Sequence, residues 1–209
     1  MRSNFILIWS LITALLTTAC SSVPTATPDQ TEREYLYGIK SAELKKAQWW
    51  ALKGRLAVND GKDGGSGHLN WLKRDQYSSM SFHGAFGRGA WKLNEDENGA
   101  VLEWSDGRVK RAESVAELVE RQLGWKIPVN ALAWWVRGLT APGEWDLRQL
   151  DSHGNLEKLS QQGWDIEYGR YRDLGNVSMP VKVTARRQSY KVKFAIQFWD
   201  LNARVDQDD

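Results

Sequence analysis

Residues 189–199 read SYKVKFAIQFW. Within them Tyr190, Val192, Phe194, Ile196 and Phe198 alternate with Lys191, Lys193, Ala195 and Gln197. A period of two in apolarity belongs to a β-strand with one face against a core and the other in water. The same alternation recurs on either side of turn signals along most of the chain. WDIEYGRY (Trp164–Tyr171) has Trp164, Ile166 and Tyr168 in phase. MPVKVTARR (Met179–Arg187) and LEKLSQQ (Leu156–Gln162) are of the same kind, and DSHGN turns the chain before the latter. In EWDLRQL, Trp145 and Leu147 share a face.

The N-terminal half repeats the pattern. Leu52, Gly54, Leu56 and Val58 line one face of a strand, and NDGKDGGSG (Asn59–Gly67) reads as a turn-rich loop. Leu69 and Trp71, then Met80 and Phe82, then Trp91 and Leu93 mark three further strands. AVLEWS and RVKRA flank Asp106-Gly107, a hairpin signal with a mechanism, because glycine accepts the positive φ that a tight turn demands. About eleven strands joined mostly by hairpin-length connections predict one antiparallel, strongly curved sheet, with helices on its concave side. The class is mainly β with helices (α+β).

Two helices interrupt the meander. Ser114 and Glu117 stand in capping-box spacing, Val115, Leu118, Val119 and Leu123 share a face, and Gly124 can end the first. After WKIP, Val129, Leu132, Ala133 and Val136 form a second stripe, with Pro128 at its first turn and Gly138 at its end. Trp134 points away from that stripe, as in a helix with apolar matter on two sides. A third, short helix is expected from Ser41, capped by that residue.

The N-terminus reads as a targeting segment, residues 1–19. Arg2 precedes an apolar run, FILIWSLITALL (Phe5–Leu16), of signal-peptide length and short for a membrane span. TTAC follows and ends in the sole cysteine, Cys20. This resembles a bacterial lipobox, with the usual leucine one place early at Leu16 and Thr17 in its slot. The resemblance implies a covalent N-acyl and S-diacylglycerol lipid on Cys20, and Ser21 after it implies sorting to the outer membrane. SSVPTATPDQTERE (Ser21–Glu34) has the composition of a tether. The expected division is therefore a lipidated N-terminus and tether over 20–40 and one folded domain over 41–209.

Composition removes several functional classes. A formal net charge of +2 over 209 residues gives no electrostatic case for nucleic acid. One cysteine builds neither a disulfide framework nor a CxxC zinc site. His68, His83 and His153 lie beside glycine or in turn-rich stretches, and no HExxH, GxSxG or P-loop occurs. No catalytic residue, metal site or cofactor is expected. What the chain offers is apolar surface, including twelve Trp residues. Strand parity assigns Leu52, Leu56, Val58, Leu69, Trp71, Met80, Phe82, Trp91, Leu93, Leu102, Trp104, Trp145 and Ile166 to the inner face, with Leu132 and Trp135 facing them from the second helix. These are the candidate lining of an acyl-chain cavity.

One connection has a different character. HGAFGRGA (His83–Ala90) holds a single large apolar ring, Phe86, among Gly84, Gly87 and Gly89. A protein tethered beside a membrane gives an exposed Phe86 a target, with Gly84 and Gly87 shaping its loop.

Taken in order, the lipobox, WALKGRLAV, the Gly-flanked apolar tip, ELVERQLGWKIPVNALAWWVRGL with Pro142-Gly143 after it, WDIEYGRY, MPVKV and the closing strand resemble the LolB family of outer-membrane lipoprotein receptors. That resemblance implies an incomplete antiparallel β-barrel of about eleven strands, lidded by helices, around an apolar cavity. It implies a monomer that accepts acylated lipoproteins from the periplasmic carrier LolA and inserts them into the inner leaflet of the outer membrane. The family's loop tip is usually leucine in a Pro-Leu-Gly-like context, which is Ala85-Phe86-Gly87 here. Two other readings share the anchor and the sheet: an envelope lipoprotein that binds a partner without acyl transfer, and a lipid-modifying enzyme.

Overall fold

The computed structural model describes residues 29–47, 49–84 and 89–201. Its elements, in chain order, are α1 (Gln30–Lys46), β1 (Trp49–Asn59), β2 (Gly64–Arg74), β3 (Tyr77–Gly84), β4 (Trp91–Asp96), β5 (Gly99–Trp104) and β6 (Val109–Ala112). Then come α2 (Val115–Leu123), α3 (Val129–Trp135), β7 (Leu147–Leu150), β8 (Leu156–Gln161), β9 (Trp164–Leu174), β10 (Val177–Arg187) and β11 (Tyr190–Asp200).

The strands form one 11-stranded sheet in the order β6-β5-β4-β3-β2-β1-β11-β10-β9-β8-β7. Two antiparallel meanders therefore meet at a single seam, where the first strand pairs with the last. β6 and β7 remain as edges, so the sheet is an open, incomplete barrel. The Asp106-Gly107 corner forms as the sequence indicates: Gly107 has φ +87° and donates its N–H to Trp104 O at 3.0 Å.

The seam contains the first departure from the sequence reading. Lys53 pairs with Phe198 but Gly54 pairs with Ile196, so β11 carries a bulge at Gln197. The alternation of the closing strand breaks there. Tyr190 is half-buried, Val192, Phe194 and Ile196 point inward, Phe198 turns out to 50% exposure, and Trp199 takes the inward place. A Cβ on Gly54 would sit 2.4 Å from Ala195 O, so only glycine lets the two backbones approach this closely at the bulge.

The expected helix from Ser41 is a correction. Asp29 caps α1 by accepting from Glu32 N at 2.8 Å, and Ser41 lies inside the helix with its hydroxyl donating to Gly38 O. Residues 30–40, read as tether, belong to the folded body. Tyr37, Ser41 and Leu44 form the buried stripe. Polar contacts hold the rest: Thr140 N donates to the Tyr37 hydroxyl at 3.0 Å, Arg148 pairs with Glu34, and Lys40 donates to Asn155. The expected Asn59–Gly67 loop is also shorter than read. Asp60 Oδ1 accepts from Lys62 N and Asp63 N, the turn closes there, and β2 already runs from Gly64.

α2 and α3 cover the concave face. Ser114 caps α2, accepting from Glu117 N, and Gly124 ends it. Val115, Leu118 and Val119 are buried from α2, and Val129, Ala131, Leu132, Ala133 and Trp135 from α3. Gln161 pins this lid to the sheet. Fully buried on β8, it accepts from Trp135 Nε1 and Ala141 N, each at 2.9 Å, and donates to Ala141 O at 2.8 Å. The Tyr168 hydroxyl donates to Trp135 O at 3.0 Å, and burial holds that phenol well above its usual pKa, so it is a neutral donor.

Candidate functional site

The concave face is the apolar site. Leu52, Leu56, Val58, Leu69, Trp71, Met80, Phe82, Trp91, Leu93, Leu102 and Ile166 line it from the strands, and Leu132 and Trp135 from α3. Each of these is at most 6% exposed. Trp104 is half-buried at the sheet end and packs against this cluster. Trp145 is a correction. It precedes β7, is 44% exposed, and stacks on the Arg148 guanidinium at 4.5 Å. The reason is that Trp145 precedes the paired strand: Asp146 N donates to Ser160 O at 2.9 Å, the β7 ladder starts at Leu147, a bulge follows between Gln149 and Leu150, and Leu150 is the residue that turns inward.

These side chains fill the space between sheet and helices. Trp50 meets Trp71 edge-on at 5.1 Å and Trp199 at 6.0 Å. Phe82 stacks on Trp91 at 5.4 Å, and Trp125, from the α2–α3 connection, meets both rings at 6.2 Å. The interior is thus closed and apolar, with these two aromatic clusters at opposite ends of the strands. Trp50, Trp125, Trp164 and Trp199 were not assigned to the inner face by parity. Trp164 was in phase with Ile166, a signal that could have found it; Trp199 became legible only with the bulge.

The end of β3 and the start of β4 hold the Phe82–Trp91–Trp125 cluster and bracket the connection that carries the apolar tip. Gly84 closes β3 opposite Gly67. Phe86 and Gly87 lie outside the described residues, as do Cys20 and the lipobox.

At the opposite end of the strands a pocket of about 800 Å³ opens between the β2–β3 and β4–β5 turns, the end of α1, and α3. Its floor is Trp50, Ala133, Trp134 and Arg137, and its rim is charged. Arg137 is 7% exposed. Its guanidinium lies 4.9 Å from the Trp134 ring and 5.5 Å from Trp50, and its Nε donates to Ala133 O at 3.0 Å. Burial lowers its pKa to about 10, which leaves it a cation at neutral pH. Trp134, expected to face something other than the sheet, faces this guanidinium.

Comparison with known proteins places the fold and the order of motifs in context. Residues 48–199 match a family model described as outer membrane lipoprotein LolB. The chain is 36% identical over 157 residues to the outer-membrane lipoprotein LolB of Pseudomonas paraeruginosa, covering 75% of this chain and 77% of that one. It is 37% identical to the LolB of Pseudomonas aeruginosa over the same length and shares. Among solved structures, a putative outer membrane lipoprotein-sorting protein domain from Vibrio parahaemolyticus superposes with a TM-score of 0.51 at 10% identity, covering 84% of this chain and 95% of that one. A LolA superfamily protein from Nitrosomonas europaea gives 0.50 at 8% identity, with 80% and 96% covered. At such identities the two structures speak to the fold alone.

Proposed function

The chain belongs to the outer-membrane lipoprotein LolB family, and from that premise we propose that it receives acylated lipoproteins from the periplasmic carrier LolA and releases them into the inner leaflet of the outer membrane. The observation that carries this reading is the concave apolar face covered by α2 and α3. Exposing an acyl chain of about sixteen carbons to water costs on the order of 10 kcal/mol at ~0.8 kcal/mol per methylene. Cargo therefore moves only between apolar hosts. The closed interior fits a receiver at rest, because an empty apolar cavity gains nothing from hydration. An arriving chain displaces apolar side chains such as Leu132, and apolar contact is exchanged for apolar contact at small net cost. No bond is made or broken, and neither nucleotide nor cofactor takes part.

Two further parts of the proposal concern residues outside the described set. Lipid on Cys20 fixes the receiver at the destination membrane, since two or more acyl chains anchor stably. Phe86 enters the bilayer transiently and opens the route from interior to lipid. The test is transfer: with a radiolabelled acyl lipoprotein loaded on the carrier, this protein takes up the cargo and passes it to liposomes.

One observation favours a second reading. The interior is filled by its own side chains, as expected for an envelope lipoprotein that binds a partner protein and transports nothing. Failure to take up acyl chains, with normal folding, would establish that alternative.

A further inference from the structure

The pocket at the β2–β3 end has a two-signed lining that acyl-chain transfer does not use. Buried at its floor is Arg137, whose Nη groups make no hydrogen bond and no ion pair among the described residues. Half-buried beside it is Lys73, also without an ion pair there. The two cations raise each other's cost: Lys73 is held below the usual lysine range first by burial, and the Arg137 charge pushes it the same way against Glu95 and Asp75. At the exposed rim one cation, Lys45, stands with the four carboxylates of Asp75, Asp96, Glu97 and Glu113, so the rim is acidic on balance, and no described group of them is arranged to hold a metal ion. Glu95 is half-buried and already engaged, accepting from Val115 N at 2.9 Å.

Each half of the lining selects a charge. A buried guanidinium with free donors between two indole rings prefers a polyoxygen anion, because charge-assisted hydrogen bonds are shorter and stronger where water is scarce. An anion alone would face the rim carboxylates. A short group that is anionic at one end and cationic at the other satisfies both. We propose that this pocket binds a phosphoethanolamine-type group, its phosphate on Arg137 and Lys73 and its ammonium at the rim by Asp96 and Glu97. Trp50 and Ala133 line this pocket and also belong to the buried apolar cluster, so the tails of a phospholipid bearing this headgroup would lie on the core side. The shared chemistry has two sources, a phospholipid or a free phosphoester, and the inference stands whether or not the protein transfers lipoproteins.

The experiment is calorimetric titration of the full chain in phosphate-free maltoside micelles. The probes are O-phosphoethanolamine, inorganic phosphate and dihexanoyl phosphatidylethanolamine. O-phosphoethanolamine binds, and inorganic phosphate binds at least severalfold more weakly. Arg137→Gln weakens the former ~10-fold or more, the loss expected for a charge-assisted hydrogen-bonded contact. Lys73→Gln, which removes no hydrogen bond or ion pair among the described residues, keeps the test valid if Arg137→Gln unfolds, and also weakens binding. Asp96→Asn/Glu97→Gln reduces the affinity for O-phosphoethanolamine toward that for phosphate. Tighter binding of the short-chain lipid than of O-phosphoethanolamine assigns the source as phospholipid, and the reverse assigns a soluble phosphoester; both support the site. No heat with O-phosphoethanolamine, equal affinity for phosphate, or indifference to Lys73→Gln overturns it.

Discussion

Gln161 shows how much one buried polar side chain decides. Its amide occupies the point where α3, the segment after it and β8 converge, and three of its bonds are to the buried Trp135 indole and the backbone of buried Ala141. Gln161→Leu keeps the volume and strands the Trp135 indole N–H and both backbone groups of Ala141. The expected cost is about 2–4 kcal/mol, read from urea denaturation; a loss below ~0.5 kcal/mol would mean the lid is not held there. Lys73 gives a pH test with a definite sign. Its folded-state pKa lies below the unfolded value of 10.5, chiefly through burial. The protonated form therefore costs stability at neutral pH, and the cost fades as pH rises through the lowered value toward 10.5. Lys73→Met is expected to melt above the parent at pH 7, with the difference shrinking at alkaline pH; a difference that grows would contradict the assignment. Phe86→Glu is expected to leave cargo uptake intact and to slow delivery into liposomes ~10-fold or more, the equivalent of losing one buried ring. Unchanged delivery would remove Phe86 from the mechanism.

Among the elements, the β1–β11 seam and α1 carry opposite lessons. Among the described residues the seam is the one place where strands of the two meanders pair, so strain there affects both. Gly54→Ala places a methyl 2.4 Å from Ala195 O and 2.9 Å from Ile196 Cα, and both are backbone atoms. A cost of about 2–4 kcal/mol follows, with faster amide exchange along β1 and β11; wild-type exchange would show that the bulge accommodates the methyl. The strands themselves were legible, because a curved sheet with one wet face imposes a period of two that composition cannot hide. The bulge was not, since nothing in SYKVKFAIQFW marks where the partner strand inserts one residue fewer. Likewise α2 and α3 carry their caps in the sequence, whereas α1 does not stand out. Its buried stripe is Tyr37, Ser41 and Leu44, with a serine in the middle, and exposed Tyr35 and Ile39 on another face blur the period. Ser41 looked like a cap because serine prefers caps, and Asp29 won that role twelve residues earlier. Tyr37→Phe, which removes the partner of Thr140 N, is expected to cost about 1 kcal/mol and to loosen α1 selectively in amide exchange.

For the whole molecule, the inner face was legible to the extent that parity holds, which is why Trp145 failed and most of the lining did not. Parity names which side chains point inward and says nothing of whether they leave room. The interior is packed, and the pocket with a free buried cation lies at the end where sequence gave only turn residues and a lone arginine after WWV. Both features come from tertiary convergence: Trp50 is distant in sequence from Trp134 and Arg137, and it meets them only when α3 closes on β1. A receiver built this way must open to work, so the central claim is that the closed apolar interior yields to an acyl chain. The direct measurement is uptake of a fluorescent acyl lipoprotein from its carrier, with cross-linking from a photoreactive residue at Leu132 to the acyl chain. The account predicts transfer and an acyl cross-link at that position, under α3. Efficient folding with no transfer and no cross-link would contradict it.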